Sequence, residues 1–297
     1  MARVRKQKIG GLFTALITAF DDKGHVDAER MSNLVRFQMS KGVDGLYPCG
    51  STGLGPMLSP DERKVVADAV IVEASGKIPV VVQIGSADTP SSIELAKHAE
   101  DTGATAVASL TPYYYKPGDR AVFKHFEAIS NSVSIPTFAY NIPQFTGNNL
   151  QPTAVAAMAK AGIVAGIKDS SRDFLHLLDL LDAVPEDFVV MNGTEEYGLF
   201  AMMSGADGLV SGGASALPEP FVSLVAAQRE GSYDEGLAAQ KMVLKVKDVV
   251  KTGAISAYYE ILRERGIDCG KPRPPLLPTE KTEAKTTIEG LERLGLI

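Results

Sequence analysis

Short apolar runs recur along the chain, each closed by glycine or polar residues and followed by a longer stretch of helical periodicity. Eight of them stand out, at residues 12–19, 45–49, 79–84, 106–110, 137–140, 163–167, 188–191 and 208–210. Their starts lie roughly 20 to 35 residues apart, the spacing of strand–helix units in an eight-fold βα barrel. The runs are continuous rather than alternating, which suits parallel strands covered on both faces. The pattern predicts an α/β fold, a (β/α)8 TIM barrel over residues 1–215. A C-terminal helical extension packed on the barrel is expected over residues 216–297, with helices at 220–229, 234–251, 254–265 and 282–294.

The helices between the runs carry start and stop signals. Ser59-Pro60-Asp61-Glu62 supplies an N-cap serine, a proline at the first helical position and a glutamate for the capping box. That helix should run to Ser75-Gly76, where glycine takes the left-handed conformation. Similar stops stand at Gly42, Gly103, Gly162 and Gly205. Residues 271–278 hold four prolines and read as a stiff extended connector.

Composition narrows the class. Hydrophobic residues make up 45% of the 297, enough for a large core. The net charge of -6 has no basic cluster beside it, which argues against a nucleic-acid partner. Two cysteines, Cys49 and Cys269, form no disulfide framework and fit a reducing compartment. Arg3, Arg5, Lys6 and Lys8 precede an apolar stretch in the manner of a signal peptide, but Thr14 and Thr18 interrupt it and Phe20-Asp21-Asp22 follows. No run approaches the ~18 apolar residues of a membrane span. A cytoplasmic protein without membrane contact is expected.

Chemistry in such barrels lies at the C-terminal ends of the strands. The run at 163–167 delivers Lys168, followed at once by Asp169-Ser170-Ser171. A lysine at a buried strand end either snorkels to solvent or serves as an amine nucleophile that forms a Schiff base with a carbonyl. After the second run, Cys49-Gly50-Ser51-Thr52-Gly53 places two hydroxyl residues between glycines, where backbone N–H groups can approach an anion such as a carboxylate. It is neither a dinucleotide fingerprint nor a P-loop. With no histidine at another strand end, Cys49 reads as a small core residue rather than a nucleophile. Tyr140 ends the fifth run, where its phenol could relay protons or simply pack. Tyr113-Tyr114-Tyr115 suggests aromatic packing first and interface or active-site use second. Small residues after the seventh and eighth runs leave room over the barrel mouth for a small ligand. His25, His98, His125 and His176 fall in loops or helices without ligand spacing, so no metal is expected. Each reads as a surface or helix-packing histidine, with His125 keeping a slight claim to a site because it follows the tyrosine loop. The acidic residues read as a solvated face with helix caps.

Together, Gly50-Ser51-Thr52-Gly53, Tyr140-Asn141-Ile142-Pro143 and Gly166-Ile167-Lys168-Asp169 resemble the dihydrodipicolinate synthase and N-acetylneuraminate lyase family of class I, pyruvate-dependent aldolases. The resemblance spans essentially the whole chain. It implies that Lys168 condenses with the keto carbon of pyruvate or a 2-keto acid and that Tyr140 is the acid/base. It implies that Ser51 and Thr52 hold the pyruvate carboxylate, with Ser51 also in the proton relay. Tyr114 matches a tyrosine placed near a neighbouring subunit's site, which implies a homodimer or a dimer of dimers, that is, a homotetramer. Gly193 and Val210 match positions lining the pocket. No metal or organic cofactor is implied, because the covalent imine is the electron sink.

Within that family the synthase branch carries an arginine where this chain has Phe145, and a neutral aromatic cannot grip a carboxylate as a guanidinium does. Leu54 stands where a glutamate is usual. The stretch from Thr52 to Pro60, the three tyrosines and Pro272-Arg273-Pro274-Pro275 look like 2-keto-3-deoxygluconate aldolases of the archaeal type. The expected reaction is reversible cleavage of a 2-keto-3-deoxy sugar acid to pyruvate and an aldehyde, so the partners are a small keto acid and an aldehyde. N-acetylneuraminate lyase, a keto-acid dehydratase and dihydrodipicolinate synthase are the alternatives on the same scaffold, and a non-catalytic metabolite-binding protein is the alternative of another class.

Overall fold

The computed structural model describes residues 9–251 and 255–297. The basic residues Arg3, Arg5, Lys6 and Lys8 lie outside the described residues, as does Ala254, the expected start of a C-terminal helix. Eight parallel strands form the sheet: β1 (Gly11–Ala15), β2 (Gly45–Tyr47), β3 (Val81–Gln83), β4 (Ala106–Leu110), β5 (Thr137–Asn141), β6 (Gly166–Asp169), β7 (Val189–Asn192) and β8 (Gly208–Ser211). Their order is β2-β1-β8-β7-β6-β5-β4-β3. A parallel bridge between Leu46 and Val80 joins the two ends and closes the ring. With helices between the strands, this is the expected (β/α)8 barrel, and C-terminal helices follow it.

Strand limits differ from the apolar runs for a physical reason: ladder hydrogen bonds, not side-chain polarity, decide where a strand stops. The first run leaves the sheet after Ala15. There Ile17 N–H donates to Ser215 Oγ at 3.0 Å, and Thr18 Oγ1 donates to the Gly53 carbonyl at 2.6 Å. The sixth run shifts the other way. Residues 163–165 precede the strand, and Lys168 and Asp169 belong to it, paired with Tyr140 and Asn141 of β5.

The barrel interior is filled from below by Phe13, Phe138, Val81 and Met191. Two glycines make room for the rings: a Cβ on Gly166 would lie 2.3 Å from Phe138, and one on Gly45 2.4 Å from Phe13. Outside the strands, apolar helix faces pack in two further clusters. The helix Pro60–Ala74 has the expected capping box, with Ser59 Oγ accepting from Glu62 N and Glu62 Oε2 accepting from Ser59 N. Ser75 is its left-handed residue at φ 49°, followed by Gly76, while Gly42, Gly103, Gly162 and Gly205 all take positive φ as expected.

Beyond β8, the helix Pro218–Glu230 packs on β1 and β8, and the helix Tyr233–Val250 packs on it in turn. The connector at 271–278 is tied to the barrel. Arg273 donates to both carboxylate oxygens of Glu62, at 2.9 and 2.6 Å, and to the Gly24 carbonyl at 2.6 Å, over the Phe20 ring. Hydrogen bonding from Arg273 holds the Glu62 carboxyl below its ordinary range. Among the described residues no helix is long and apolar enough to cross a membrane.

The acidic residues are not all on a solvated face, which corrects the sequence reading. Glu195, in the turn after β7, is only 7% exposed. Its carboxylate accepts from Ser211 Oγ at 2.7 Å, Gly213 N at 2.9 Å and Lys247 Nζ at 3.1 Å. Lys247 also lies 3.1 Å from Glu196. Charge burial is tolerated because every charge has a partner. Burial pushes the Glu195 carboxyl up, yet Lys247 and the two donors outweigh it and hold the group below its ordinary value. Burial likewise opposes the Lys247 ammonium, and Glu195 and Glu196 outweigh it in the other direction. The cluster clasps the helix Tyr233–Val250 to the barrel rim.

Removing one partner of this clasp strands the other: Lys247→Ala is expected to lower unfolding free energy by about 3 kcal/mol in chemical denaturation. The lowered carboxyl adds stability that is whole above the unfolded glutamate value of ~4.3 and lost as pH falls through the lower folded value. The raised ammonium adds stability that is whole below ~10.4 and lost only as pH rises through the higher folded value. The stability gap between wild type and Glu195→Gln should therefore be flat from about pH 5 to 9 and narrow in acid, as read by denaturation at each pH.

Candidate active site

The C-terminal ends of the strands surround a cavity of about 190 Å³. Parallel pairing of β5 and β6 sets Tyr140 directly beside Lys168, and strand alternation points both side chains inward. Lys168 is 5% exposed and meets no carboxylate or hydrogen-bond partner among the described residues. Its Nζ instead lies 4.2 Å from the centroid of the Tyr140 ring and 4.4 Å from that of Tyr47. The two rings meet edge to face at 5.9 Å, so the amine sits in an aromatic corner.

Ser51 Oγ and Tyr140 Oη are 3.4 Å apart, within reach of a shared proton. The loop carrying Ser51 and Thr52 is tight: Leu54 N donates to the Ser51 carbonyl and Gly55 N to the Gly50 carbonyl. Cys49 and Leu54 both take positive φ. Among the described residues the N–H groups of Ser51 and Thr52 meet no acceptor, leaving two backbone donors and two hydroxyls in one short turn. Such a turn can receive a carboxylate. Close approach elsewhere on the rim requires glycine. A Cβ on Gly193 would lie 2.0 Å from Ser170 Oγ, and one on Gly212 2.8 Å from Thr52 Oγ1.

The structure thus brings Lys168, Tyr140, Ser51, Thr52, Gly193, Val210 and Phe145 to one cavity wall. Phe145, in the short helix Pro143–Thr146, is 69% exposed at the mouth. Tyr114 is not brought to this cavity: it is 89% exposed, packs edge to face on Tyr115 and has φ 76°. Cys49 is buried, and burial pushes its thiol up to about 11, so it stays a packed thiol.

Two of the histidines are buried without lining the cavity. His125 Nδ1 pairs with Thr89 Oγ1 at 2.9 Å and Nε2 with Ser109 Oγ at 3.3 Å, and burial lowers its pKa to about 4. His176 faces the outer side of β5 and β6, 3.7 Å from Asp169. Asp169 is a second buried acid that the sequence reading put in solvent. Burial raises its pKa, and hydrogen bonds from Ser171 at 2.7 Å and Asn141 at 2.8 Å work against that rise. Among the described residues no three histidine, cysteine, aspartate or glutamate side chains gather as a metal site would.

Sequence reasoning missed several residues at or behind the cavity wall. Tyr47, packed against the Lys168 amine, is the most consequential: it is 2% exposed, its hydroxyl has no partner among the described residues, and burial followed by the neighbouring Tyr140 keeps its phenol protonated. Its signal was present, since alternation within β2 sets Tyr47 on the same face as Gly45. Lys247, Ile255 and Tyr258 come from the C-terminal helices and close one side of the cavity. Nothing in their local sequence marks them.

The Dihydrodipicolinate synthetase family profile matches residues 8–293. A 4-hydroxy-tetrahydrodipicolinate synthase of Chlorobium phaeobacteroides is 33% identical over 292 residues, 97% of this chain and 98% of that protein. Among solved structures, a prophage protein of the dihydrodipicolinic acid synthase family from E. coli, in complex with pyruvate, superposes with a TM-score of 0.92 at 26% identity, covering 97% and 99% of the two chains. A variant of the 2-keto-3-deoxygluconate aldolase of Sulfolobus solfataricus gives 0.89 at 28% identity, covering 96% of each. The matches cover the barrel and the C-terminal helices alike. The chain belongs to the dihydrodipicolinate synthetase family, class I pyruvate-dependent aldolases and lyases that act through a lysine Schiff base without metal or other cofactor.

Proposed function

We propose that this chain reversibly cleaves a 2-keto-3-deoxy sugar acid, of the 2-keto-3-deoxygluconate type, to pyruvate and an aldehyde. The observation that carries the reading is the wall around Lys168. It holds an amine in an aromatic corner, a hydroxyl pair at Ser51 and Tyr140, and an uncharged Phe145 at the mouth. In the proposed sequence the Lys168 amine adds to the keto carbon and water leaves, giving an iminium. Its positive charge stays against the Tyr47 and Tyr140 rings, where each cation–π contact is worth about 0.5–2 kcal/mol. Ser51 and Thr52 receive the carboxylate. Tyr140, through Ser51, takes the proton of the C4 hydroxyl; the C3–C4 bond breaks, its electron pair passing into the iminium as an enamine, and the aldehyde departs. Protonation of the enamine at C3 and hydrolysis of the imine release pyruvate and restore the amine.

Dihydrodipicolinate synthesis is the second reading, favoured by the 33% identity to a 4-hydroxy-tetrahydrodipicolinate synthase. Phe145 speaks against it, because a phenyl ring offers no donor to the second substrate's carboxylate. Tyr114 is proposed to reach the site of a second copy of the chain, in a homodimer or dimer of dimers. Homo-oligomers are typical of the family, and the exposed Tyr114–Tyr115 pair supports an interface there.

Borohydride should trap pyruvate on Lys168 of the wild-type protein, seen by peptide mass spectrometry, and Lys168→Ala should lose the adduct. Tyr140→Phe should keep the adduct while kcat for cleavage drops ~100-fold or more, the usual weight of a positioned acid/base. The substrate is tested by pyruvate release from 2-keto-3-deoxygluconate, its 6-phosphate, its galactose epimer and N-acetylneuraminate. Turnover of at least one of the first three, with none of the last and only slow condensation of pyruvate with aspartate semialdehyde, is the expected result. Silence on all four with trapping intact would remove the aldolase reading.

A further inference from the structure

Among the described residues, two cationic side chains besides Lys168 line the cavity, Lys247 and Arg172. Lys247 is balanced within the wall by Glu195 and Glu196. Arg172, in the turn between β6 and the helix Phe174–Ala183, is exposed and meets no carboxylate or other acceptor among the described residues. Among the described residues it is the one guanidinium at the cavity, and no carboxylate compensates its charge.

The backbone supplies an independent observation. Arg172 has φ 62°, the left-handed region that glycine occupies at no steric cost and other residues rarely adopt. Both neighbours hold it there. Ser171 Oγ donates to Asp169 Oδ2 at 2.7 Å, and Asp173 Oδ1 accepts the N–H groups of Leu175 and His176 to cap the next helix. Glycine would suit this turn with less strain. A long cationic side chain kept at a strained position on a cavity wall points to a ligand contact.

We propose that Arg172 is a specificity-determining residue that grips a second anionic group on the substrate, at the end remote from the keto acid. The inference rests on the sugar-acid reading above and adds the class of sugar acid. With one carboxylate at Ser51 and Thr52 and the keto carbon at Lys168, the far end of the chain extends toward the mouth. There Phe145 offers no donor, and Gln144 Nε2 is already committed to the Ser170 carbonyl at 3.1 Å. The guanidinium fork matches two oxygens of a phosphate ester or of a terminal carboxylate, the two sources of one chemistry.

The test uses pyruvate alone, whose methyl protons exchange with D2O through the imine and enamine and are followed by NMR. Glycerol 3-phosphate, glycerate and glycerol stand in for the departing aldehyde with a phosphate, a carboxylate or no charge. In wild type one of the two anions should inhibit exchange and glycerol should not; the anion that acts identifies the source. Arg172→Ala should weaken that inhibition ~10- to 100-fold, measured against its own uninhibited rate. Arg172→Lys should recover part of it. Arg172→Gly should show the same loss while unfolding at no lower temperature than wild type, which separates anion binding from a folding defect. No inhibition by either anion in wild type, or equal inhibition of wild type and Arg172→Ala, overturns the proposal. Because exchange needs no carbon–carbon cleavage, Arg172-dependent inhibition beside a silent sugar-acid panel would sink the substrate reading and leave the anion site standing.

Discussion

The parallel register between β5 and β6 is the constraint on which the site depends. Tyr140 pairs with Lys168 and Asn141 with Asp169, and side chains alternate between the two faces of a strand. One pair is therefore delivered to the cavity and the other to the outer side. A slip of one residue would exchange them, placing a carboxylate in the aromatic corner and an amine among the helices. The outer pair gives the register its polar reason. Asn141 Nδ2 donates to Asp169 Oδ1 and to Asn149 Oδ1, both at 2.8 Å, and its Oδ1 accepts from Leu150 N. Those bonds satisfy a buried carboxylate only in this alignment. Leaving it unsatisfied costs more than a typical hydrogen bond contributes, so a slipped register has no compensation.

Around that register the barrel solves a packing problem in two layers. Large rings from Phe13 and Phe138 plug the interior below, and glycines on neighbouring strands admit them. Above, Gly193 and Gly212 let the rim close without filling the mouth. The result is a small cavity with an amine at its base and hydroxyls beside it. The C-terminal helices complete the enclosure through Lys247, Ile255 and Tyr258. The reacting groups and one wall of their cavity thus come from distant parts of the chain.

The proposed chemistry and the proposed specificity sit on different parts of this frame. The proposed imine formation uses strand residues whose positions are fixed by the ladder. In the proposed function, choice of aldehyde falls to the loops at the mouth, where Phe145 and Arg172 stand. Loops tolerate replacement far better than strands do. This separation explains how relatives of similar fold, with TM-scores of 0.89 and 0.92, include both an aldolase of sugar acids and a protein of the synthase family.

By itself the sequence determined the strand–helix alternation, the helix caps and the grouping of Lys168, Tyr140, Ser51 and Thr52 at strand ends. Those features are local: apolar runs, a capping serine, left-handed glycines and motifs of a few residues each. It placed the strand ends less well, because a ladder bond belongs to two strands and Lys168 joins the sheet through β5 and not through its own polarity. It also put Asp169 and Glu195 in solvent, since a charged residue reads as exposed until its partners are known. Those partners come from far along the chain, Lys247 of them 52 residues beyond Glu195. Alternation within β2 pointed to Tyr47, but which face turns inward is settled only once the barrel closes; Arg172 was hidden because its strained φ exists only in the folded loop. Tertiary structure decided these, for pairing and burial are properties of two segments brought together and neither segment carries them alone.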